Sequence, residues 1–476
     1  QFAPDSDRTK RWFPVSFCRT CGTESYTVWK SSGEDVPLHF RPRDLFNRFN
    51  SDDDGEAGFL YRDPERPWPD DLDEVAERLP EDWTEESDDG VRIKSNRRDD
   101  VPVPFEVSPD GQSGSPGTTF WFTPVPFRFC QCCGVEHRAR KGDSDFGRQA
   151  TLGSGGRSTA TTILGLSSVR FLQKEQTLQD FARKLLSFTD NRQDASLQAG
   201  HFNDFVEVGL LRAGLFKALD ASGDQGISHD ELAQKVFGAL SLDFEQYARE
   251  PGAQFAQRQN TDKAMRLMLG YRLYRDLKRG WRITSPNLEQ CGLLKIEYQS
   301  LDELCAADDY WQQAHPALVQ ASPATRERIA TVLLDFMRRD LAIDVDYLTD
   351  ETQERLKIQS SQYLRDPWAI DENERTELST VLFPRGRRPH DRRYYSFVSG
   401  RSGFGQFLGR SGVLPEFAAN GEPLKLDDKQ AIIGDLLQIL TSAQFVSRVI
   451  EPTDADDVPG YQLTSSVMLW KAGDGT

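Results

Sequence analysis

Long apolar runs are scarce in this sequence. Among its 476 residues no stretch approaches the roughly 18 consecutive apolar positions that a membrane-spanning helix needs. The first twenty residues also lack the basic start and apolar core of a secretion signal. No membrane partner is therefore expected, and the chain is placed in the cytoplasm. A phosphate-cradling loop is missing too. The stretch "GSGGRST", Gly153–Thr159, comes nearest to a Walker A loop, but Arg157 stands where Lys is needed and Thr151 occupies the first Gly position. "DELA" at Asp230 and "DELC" at Asp302 lack the apolar strand that precedes a Walker B acid. There is no internal repeat. No nucleophile–base pair or open metal site supports a stand-alone enzyme, so no catalytic residue is assigned.

Basic charge is in deficit: the formal net charge is −17. The excess is local. Ser51–Asp100 holds 19 acidic and 7 basic residues, a net of −12, which leaves about −5 for the rest. Whole-chain charge is therefore a poor guide to partners, because basic clusters stand out once that segment is set aside. With 37% hydrophobic, 28% charged and 11% aromatic residues, the chain has ample core material for a folded protein of several domains.

What is present in useful spacing is cysteine. Seven occur, with Cys291 and Cys305 isolated and the other five in two clusters, "CRTCG" (Cys18–Gly22) and "CQCCG" (Cys130–Gly134). In a reducing compartment clustered cysteines point to metal before disulfide. A Cys-x-x-Cys-Gly turn gathers two thiolates, and two such turns make the four-sulfur tetrahedron of a structural Zn²⁺ site. Cys18, Cys21, Cys130 and Cys133 are the candidate ligands, with Cys132 pointing away or able to replace a neighbour. The intervening 108 residues raise the loop-closure cost only logarithmically. The competing reading is two unrelated pairs, buried or redox-active.

Pattern along the chain predicts a mixed α/β fold, predominantly helical. Residues 1–150 read as a zinc-binding β module with a solvent-exposed acidic insertion at 45–100 and a short helix near Asp71–Arg78. Residues 151–220 read as a linker followed by a strand at Leu185–Phe188 and a long helix to about Leu219. Residues 221–380 read as mostly helical, with starts at Ser228 (a capping box with Glu231) and Ser322-Pro323, a helix ending near Gly280, and a short strand within "GWRITSPNLEQCGLLKIEY". Residues 381–476 read as a basic loop, then a helix and β-hairpin in the order of a winged helix. At the turn "KLLSFTDNRQDAS", Asn191 and Arg192 sit at a helix N-terminus. They either contact phosphate there or are simply solvated.

The segment "LLSFTDNRQDAS" resembles motif IV, which opens the second RecA-like domain of very large bacterial DEAD/DEAH-box helicases of superfamily two. These include Druantia-type phage-defence helicases and relatives of mitomycin-repair helicases. "FCRTCG", "FCQCCG", "GRSTATT", "SPNLEQCGLLKIEY" and "GYQLTSSVMLW" are similar to stretches of the same group. The resemblance spans most of the chain outside the acidic insertion and parts of 300–380. It implies a central helicase segment, with a partial RecA-like element, a helical insertion and a winged-helix-like C-terminal part. By that resemblance the ATP and Mg²⁺ site lies in a domain before Gln1, and the remaining motor motifs follow Thr476. Segments here lack every catalytic motif.

The stretch "FPRGRRPHDRRYYSFVSGRSGFGQFLGR" places Arg385, Arg387, Arg388, Arg392, Arg393 and Arg401 close to Tyr394, Tyr395 and Phe397. Arginines interleaved with aromatics bind single strands by phosphate pairing and base stacking. Alternatively, these arginines pair with the acidic insertion. The expected function is DNA contact and scaffolding within an ATP-dependent helicase or translocase of phage defence or DNA repair. Its partners would be single-stranded or forked DNA, the rest of the polypeptide, and a defence-system protein docked on the acidic insertion. The alternative is a zinc-stabilised protein-interaction module without DNA binding.

Overall fold

The computed structural model describes residues 9–475. Outside the description are 32–36, 48–54, 88–89, 153–156, 187–191, 279–285, 371–373, 385–394, 419–423 and 453–456, and the single positions 46, 65, 115, 138, 141 and 411. The chain is mixed α/β, with more helix than strand.

The N-terminal part is a β module. Its strands are β1 (Val15–Cys18), β2 (Glu24–Ser31), β3 (His39–Pro42), β4 (Gly55–Tyr61), β5 (Thr84–Ser87), β6 (Gly90–Ile93), β7 (Val103–Val107), β8 (Thr118–Pro124) and β9 (Gln149–Thr151). Seven of them form one antiparallel sheet in the order β7-β8-β4-β2-β1-β9, with β3 on β2; β5 and β6 make a separate hairpin. Its α-helix among the described residues, α1 (Leu72–Arg78), starts where Asp71 accepts bonds from the Asp73 and Glu74 amides.

The acidic segment departs from its expectation as a solvent-exposed insertion. β4 lies inside the sheet with Phe59, Leu60 and Tyr61 at most 2% exposed. Further on, Trp68, Val75, Leu79 and Trp83 close over Phe129 and Trp121. The acidic count hid this, because carboxylates such as Asp71, Asp73, Glu74, Glu81 and Glu85 are exposed while the aromatic and aliphatic residues between them supply the core.

The remainder is a helical body. It begins with α2 (Arg157–Lys174) and the long α3 (Arg192–Ser222), then β10 (Ile227–Ser228), α4 (His229–Leu240), α5 (Phe244–Tyr247) and α6 (Phe255–Asp276). Next come β11 (Leu294–Tyr298), α7 (Leu301–Ala306), α8 (Pro316–Gln320), α9 (Pro323–Arg339), β12 (Ile343–Asp344) and α10 (Asp350–Tyr363). The chain closes with β13 (Val381–Phe383), β14 (Tyr395–Phe397), α11 (Gly403–Leu408), α12 (Pro415–Ala418), α13 (Leu426–Ser442), β15 (Val446–Ile450), β16 (Gly460–Thr464) and β17 (Met468–Ala472).

One apolar cluster runs from Leu211 to Trp470, so the boundaries expected at 220 and 380 do not divide the core. α9 shows how it is built. The Ser322 hydroxyl caps the helix by accepting from the Thr325 amide, Pro323 takes the first turn, and Ile329, Leu333, Leu334 and Met337 recur along one buried stripe. Ser228 does precede α4, but its side chain makes no capping bond. α6 ends at Asp276 rather than near Gly280.

Two small sheets brace the helices. One is β10-β17-β11; the other is β12-β16-β13-β14 with β15 on β16, in which β12–β16 and β13–β14 are parallel. A helix followed by an antiparallel strand pair is present, as α13, β15 and β16. Yet β16 is wired into the centre of a mixed sheet, and α13 buries Ile432, Ile433, Leu436, Leu437 and Leu440.

The strand expected at Leu185–Phe188 is absent over its described half. Leu185 and Leu186 are irregular and 47% and 79% exposed; Ser187 and Phe188 lie outside the described residues. No described strand pairs there. Instead α2 lies on α3, with Gly165 facing the Phe202 ring and Gln198 donating to Thr162 Oγ1 at 3.0 Å.

Candidate metal centre

Two loops of nearly identical build carry the thiols. In the first, at the β1–β2 turn, the Cys18 amide donates to Thr23 O (2.9 Å) and the Gly22 amide returns to Cys18 O (2.8 Å). In the second, the Cys130 amide donates to Val135 O (3.1 Å) and the Gly134 amide to Cys130 O (2.9 Å). Gly22 and Gly134 sit at φ +79° and +70°, a backbone region that only glycine enters without cost. Those glycines let each loop reverse while both of its cysteines face inward.

Pairing brings the loops together. β9 runs beside β1, with Cys18 opposite Gln149. Just before β9, the Asp145 carboxylate accepts the Phe127 amide at 2.8 Å and pins the approach to Cys130. The four Sγ atoms of Cys18, Cys21, Cys130 and Cys133 all lie within 4.8 Å of one another. Cys21 Sγ and Cys130 Sγ are 3.7 Å apart. A tetrahedron with Zn–S bonds of about 2.3 Å has S···S edges of about 3.8 Å, so the cluster fits a metal ion such as zinc. None of the seven cysteines is in a disulfide. Three of the four are buried and Cys21 is exposed, which leaves a path for ion entry.

The protonation pattern of the bare thiols agrees. Hydrogen bonds from Cys130 and Cys133 pull Cys18 down to about 5. Cys21 is lowered for the same kind of reason, with Cys130 its main donor. Cys130 is driven up, since it donates to Cys133, Cys18 and Cys21 and is buried. A divalent cation held by the four sulfurs would let all of them ionise. With every position filled by protein sulfur, such a centre is structural rather than catalytic.

Cys132 is outside the four-thiol set. Its carbonyl and Sγ face Arg410, whose Nη2 lies 3.3 Å from the oxygen and 3.6 Å from the sulfur. This is part of a seam that fastens the second loop to α11. Gly403 and Gly134 sit against Cys133 O and the Gln406 side chain, where a Cβ would come to 2.9 and 2.8 Å. Arg66 donates to Gln406 Oε1 at 2.6 Å, and Gln406 Nε2 donates to Arg78 O at 3.3 Å. Sequence reasoning missed this seam, because its two sides lie hundreds of positions apart and nothing in the CQCCG motif points to α11.

Of the other candidate residues, Asn191, Arg385, Arg387, Arg388, Arg392, Arg393 and Tyr394 lie outside the described residues, as does the side chain of Arg192. Tyr395 begins the edge strand β14, half-buried, with its ring 5.4 Å from Phe383. Arg401 Nη1 donates to Thr84 Oγ1 at 2.5 Å, within the acidic segment but to a hydroxyl.

"SPNLEQCGLL" proves to be a structural lock. Asn287 and Gln290 exchange side chain-to-amide bonds of 3.0 and 2.9 Å. Glu289 is gripped by the fully buried Arg338 through two 2.8 Å bonds, and Arg212 ties Pro286 O to Asp276. No helix among the described residues is long and apolar enough to cross a membrane. No protein-family model, curated protein or solved structure matches this chain, so the reading of its sites rests on their geometry.

Proposed function

We propose that this chain is a zinc-clamped scaffold that contacts DNA within an ATP-dependent helicase or translocase, in phage defence or DNA repair. Cys18, Cys21, Cys130 and Cys133 would hold the zinc, which fixes the β module against the helical body. ATP and Mg²⁺ would be bound by the rest of the polypeptide, where the resemblance to superfamily-two helicases locates the motor motifs.

What supports the DNA reading is the composition of the basic stretch, together with the strands that flank it. β13 and β14 are parallel neighbours, and β14 is the sheet's edge. The connection between them, residues 384–394, contains five arginines and closes on Tyr394 and Tyr395. The chain leaves the interior strand β13 before it and enters the edge strand β14 after it, and its arginines would meet phosphates while its tyrosines stack on bases. α13 buries one face and exposes the other at Asp427, Ala431, Gly434, Gln438 and Ser442; that open stripe carries no cation, so contact through the connection is favoured over winged-helix docking.

Binding of a fluorescent oligothymidylate or forked duplex should weaken steeply as salt rises. Arg387→Glu with Arg388→Glu should cost at least tenfold in affinity. Salt-insensitive binding, or no binding at all, overturns the reading.

A second reading, protein contact without DNA, is favoured by the exposed apolar side chains of α2 and the segment after it: Ile163, Leu164, Phe171, Phe181 and Leu186. It moves the partner surface away from the acidic segment, much of which is committed to the module's core. Phe171→Ser with Leu164→Ser should then abolish a pull-down while oligonucleotide affinity stays unchanged.

A further inference from the structure

The seam between the β module and the helical body collects four cations that form no ion pair among the described residues, although the charges of Asp63 and Glu77 act on them from nearby. Arg66, Arg78, Arg410 and Lys429 come from the loop after β4, the end of α1, the turn after α11, and α13. Each spends its donors on neutral acceptors or on none. Arg66 bonds to the backbone and side-chain oxygens of Gln406 (3.4 and 2.6 Å), Arg78 to Pro67 O and Gln131 O (2.6 and 3.3 Å), and Arg410 to Cys132. Among the described residues none of the four pairs with a carboxylate, although the chain carries 75 acidic residues against 58 basic ones.

Lys429 is the sharpest case. It is 6% exposed, and its ammonium group has neither a hydrogen-bond nor an ion-pair partner among the described residues. Arg78 Nε is likewise buried and unpartnered. The Lys429 ammonium lies over the backbone of Gly409, close enough that a Cβ there would meet it at 3.2 Å. Gly409 itself is exposed, so the group is next to solvent. Burial lowers the Lys429 pKa; Glu77 opposes this, and Arg66 and Arg78 add to it. A protein with a surplus of carboxylates could have placed one here. It has instead left three cations half-buried around a fourth that has spare donors.

We propose that Arg66, Arg78, Arg410 and Lys429 form a binding site for a phosphate-class anion in this seam. Guanidinium forks and an ammonium with three free donors suit the oxygens of a phosphate group. The source can be a free phosphate or phosphomonoester, or the phosphodiester of a nucleic acid strand. The site uses none of the arginines of the β13–β14 connection, so the two proposals can fail separately.

The test titrates the full chain, zinc-loaded, with inorganic phosphate at constant ionic strength against chloride. A second arm uses oligothymidylate with and without a 5′-phosphate. Binding of phosphate or oligonucleotide should fall at least tenfold in Lys429→Met and in Arg66→Gln, and should be unchanged in Arg387→Glu for the phosphate arm. Binding of free phosphate, or dependence on the 5′-phosphate, identifies a monoester source. Lys429-dependent oligonucleotide binding without either identifies the strand backbone. Zinc content is measured on every variant. If neither probe binds, or if Lys429→Met leaves both affinities intact, the proposal fails. It fails equally if the only consequence of Lys429→Met is faster zinc loss, since the cations would then merely balance the two negative charges of a zinc tetrathiolate.

Discussion

The two parts of this molecule hold themselves together by different means. In the β module the buried apolar residues fall into three small clusters, none larger than seven side chains, arranged around the four-thiol site. In the helical body a single cluster spans α3 to β17, and Trp311, Trp368 and Trp470 are at most 1% exposed. Small separate cores rarely supply enough stability alone and need a staple, whereas one large core does not. The body in turn uses its surplus stability to bury charge. Arg338, Arg212 and Arg275 lie in the interior with Glu289, Asp276 and Glu374 as their partners.

That contrast breaks most visibly at the metal. Cys130→Ser, or removal of metal by a strong chelator, should unfold the module around Trp68 and Trp83 while α6, α9 and α13 keep their hydrogen-exchange protection. Uniform loss of protection in both parts would show that they fold as one unit. Next in size is Arg338→Met. It leaves Glu289 buried with only Arg339 to meet it, and should cost about 3–5 kcal/mol, read by urea unfolding of the helical body.

The same pair can be read by pH. Burial alone would raise the Glu289 carboxyl, but bonds from Arg338 and Arg339 outweigh it and hold the group at about 2, below its ordinary 4.5. The resulting stabilisation is therefore complete above the unfolded value. It drains away as pH falls from about 4.5 toward 2, and is worth roughly 3 kcal/mol. Exchange protection of α9 between pH 5 and pH 2.5 should drop in the wild type by more than in Glu289→Gln. Reading α9 keeps the acid lability of the thiolate site out of the comparison.

The sequence announced what local spacing can encode. Cys-x-x-Cys-Gly twice over picked out the four clustered thiols, because each turn needs only five residues, the glycine among them. Ser322-Pro323 gave the start of α9, and the helical pattern running to about Leu219 gave α3. Long-range arrangement was hidden. The residues between Ser51 and Asp100 read as a solvated acidic loop, because sheet partners for β4 are set by β2 and β8 and not by its own charge. The short apolar run at Leu185–Phe188 looked like a strand, yet its described half has no neighbouring strand and lies open beside α2. "PNLEQ" read as a family signature before its physical role, an arginine-bound loop lock, was visible. The cation seam had no local signature at all.

X-ray absorption at the zinc edge, with metal stoichiometry on the purified full chain, tests the central claim most directly. One zinc per chain, surrounded by four sulfurs at about 2.3 Å, is the expected result. A chain that carries no zinc when purified under reducing conditions, or whose zinc is bound by nitrogen and oxygen, would contradict it.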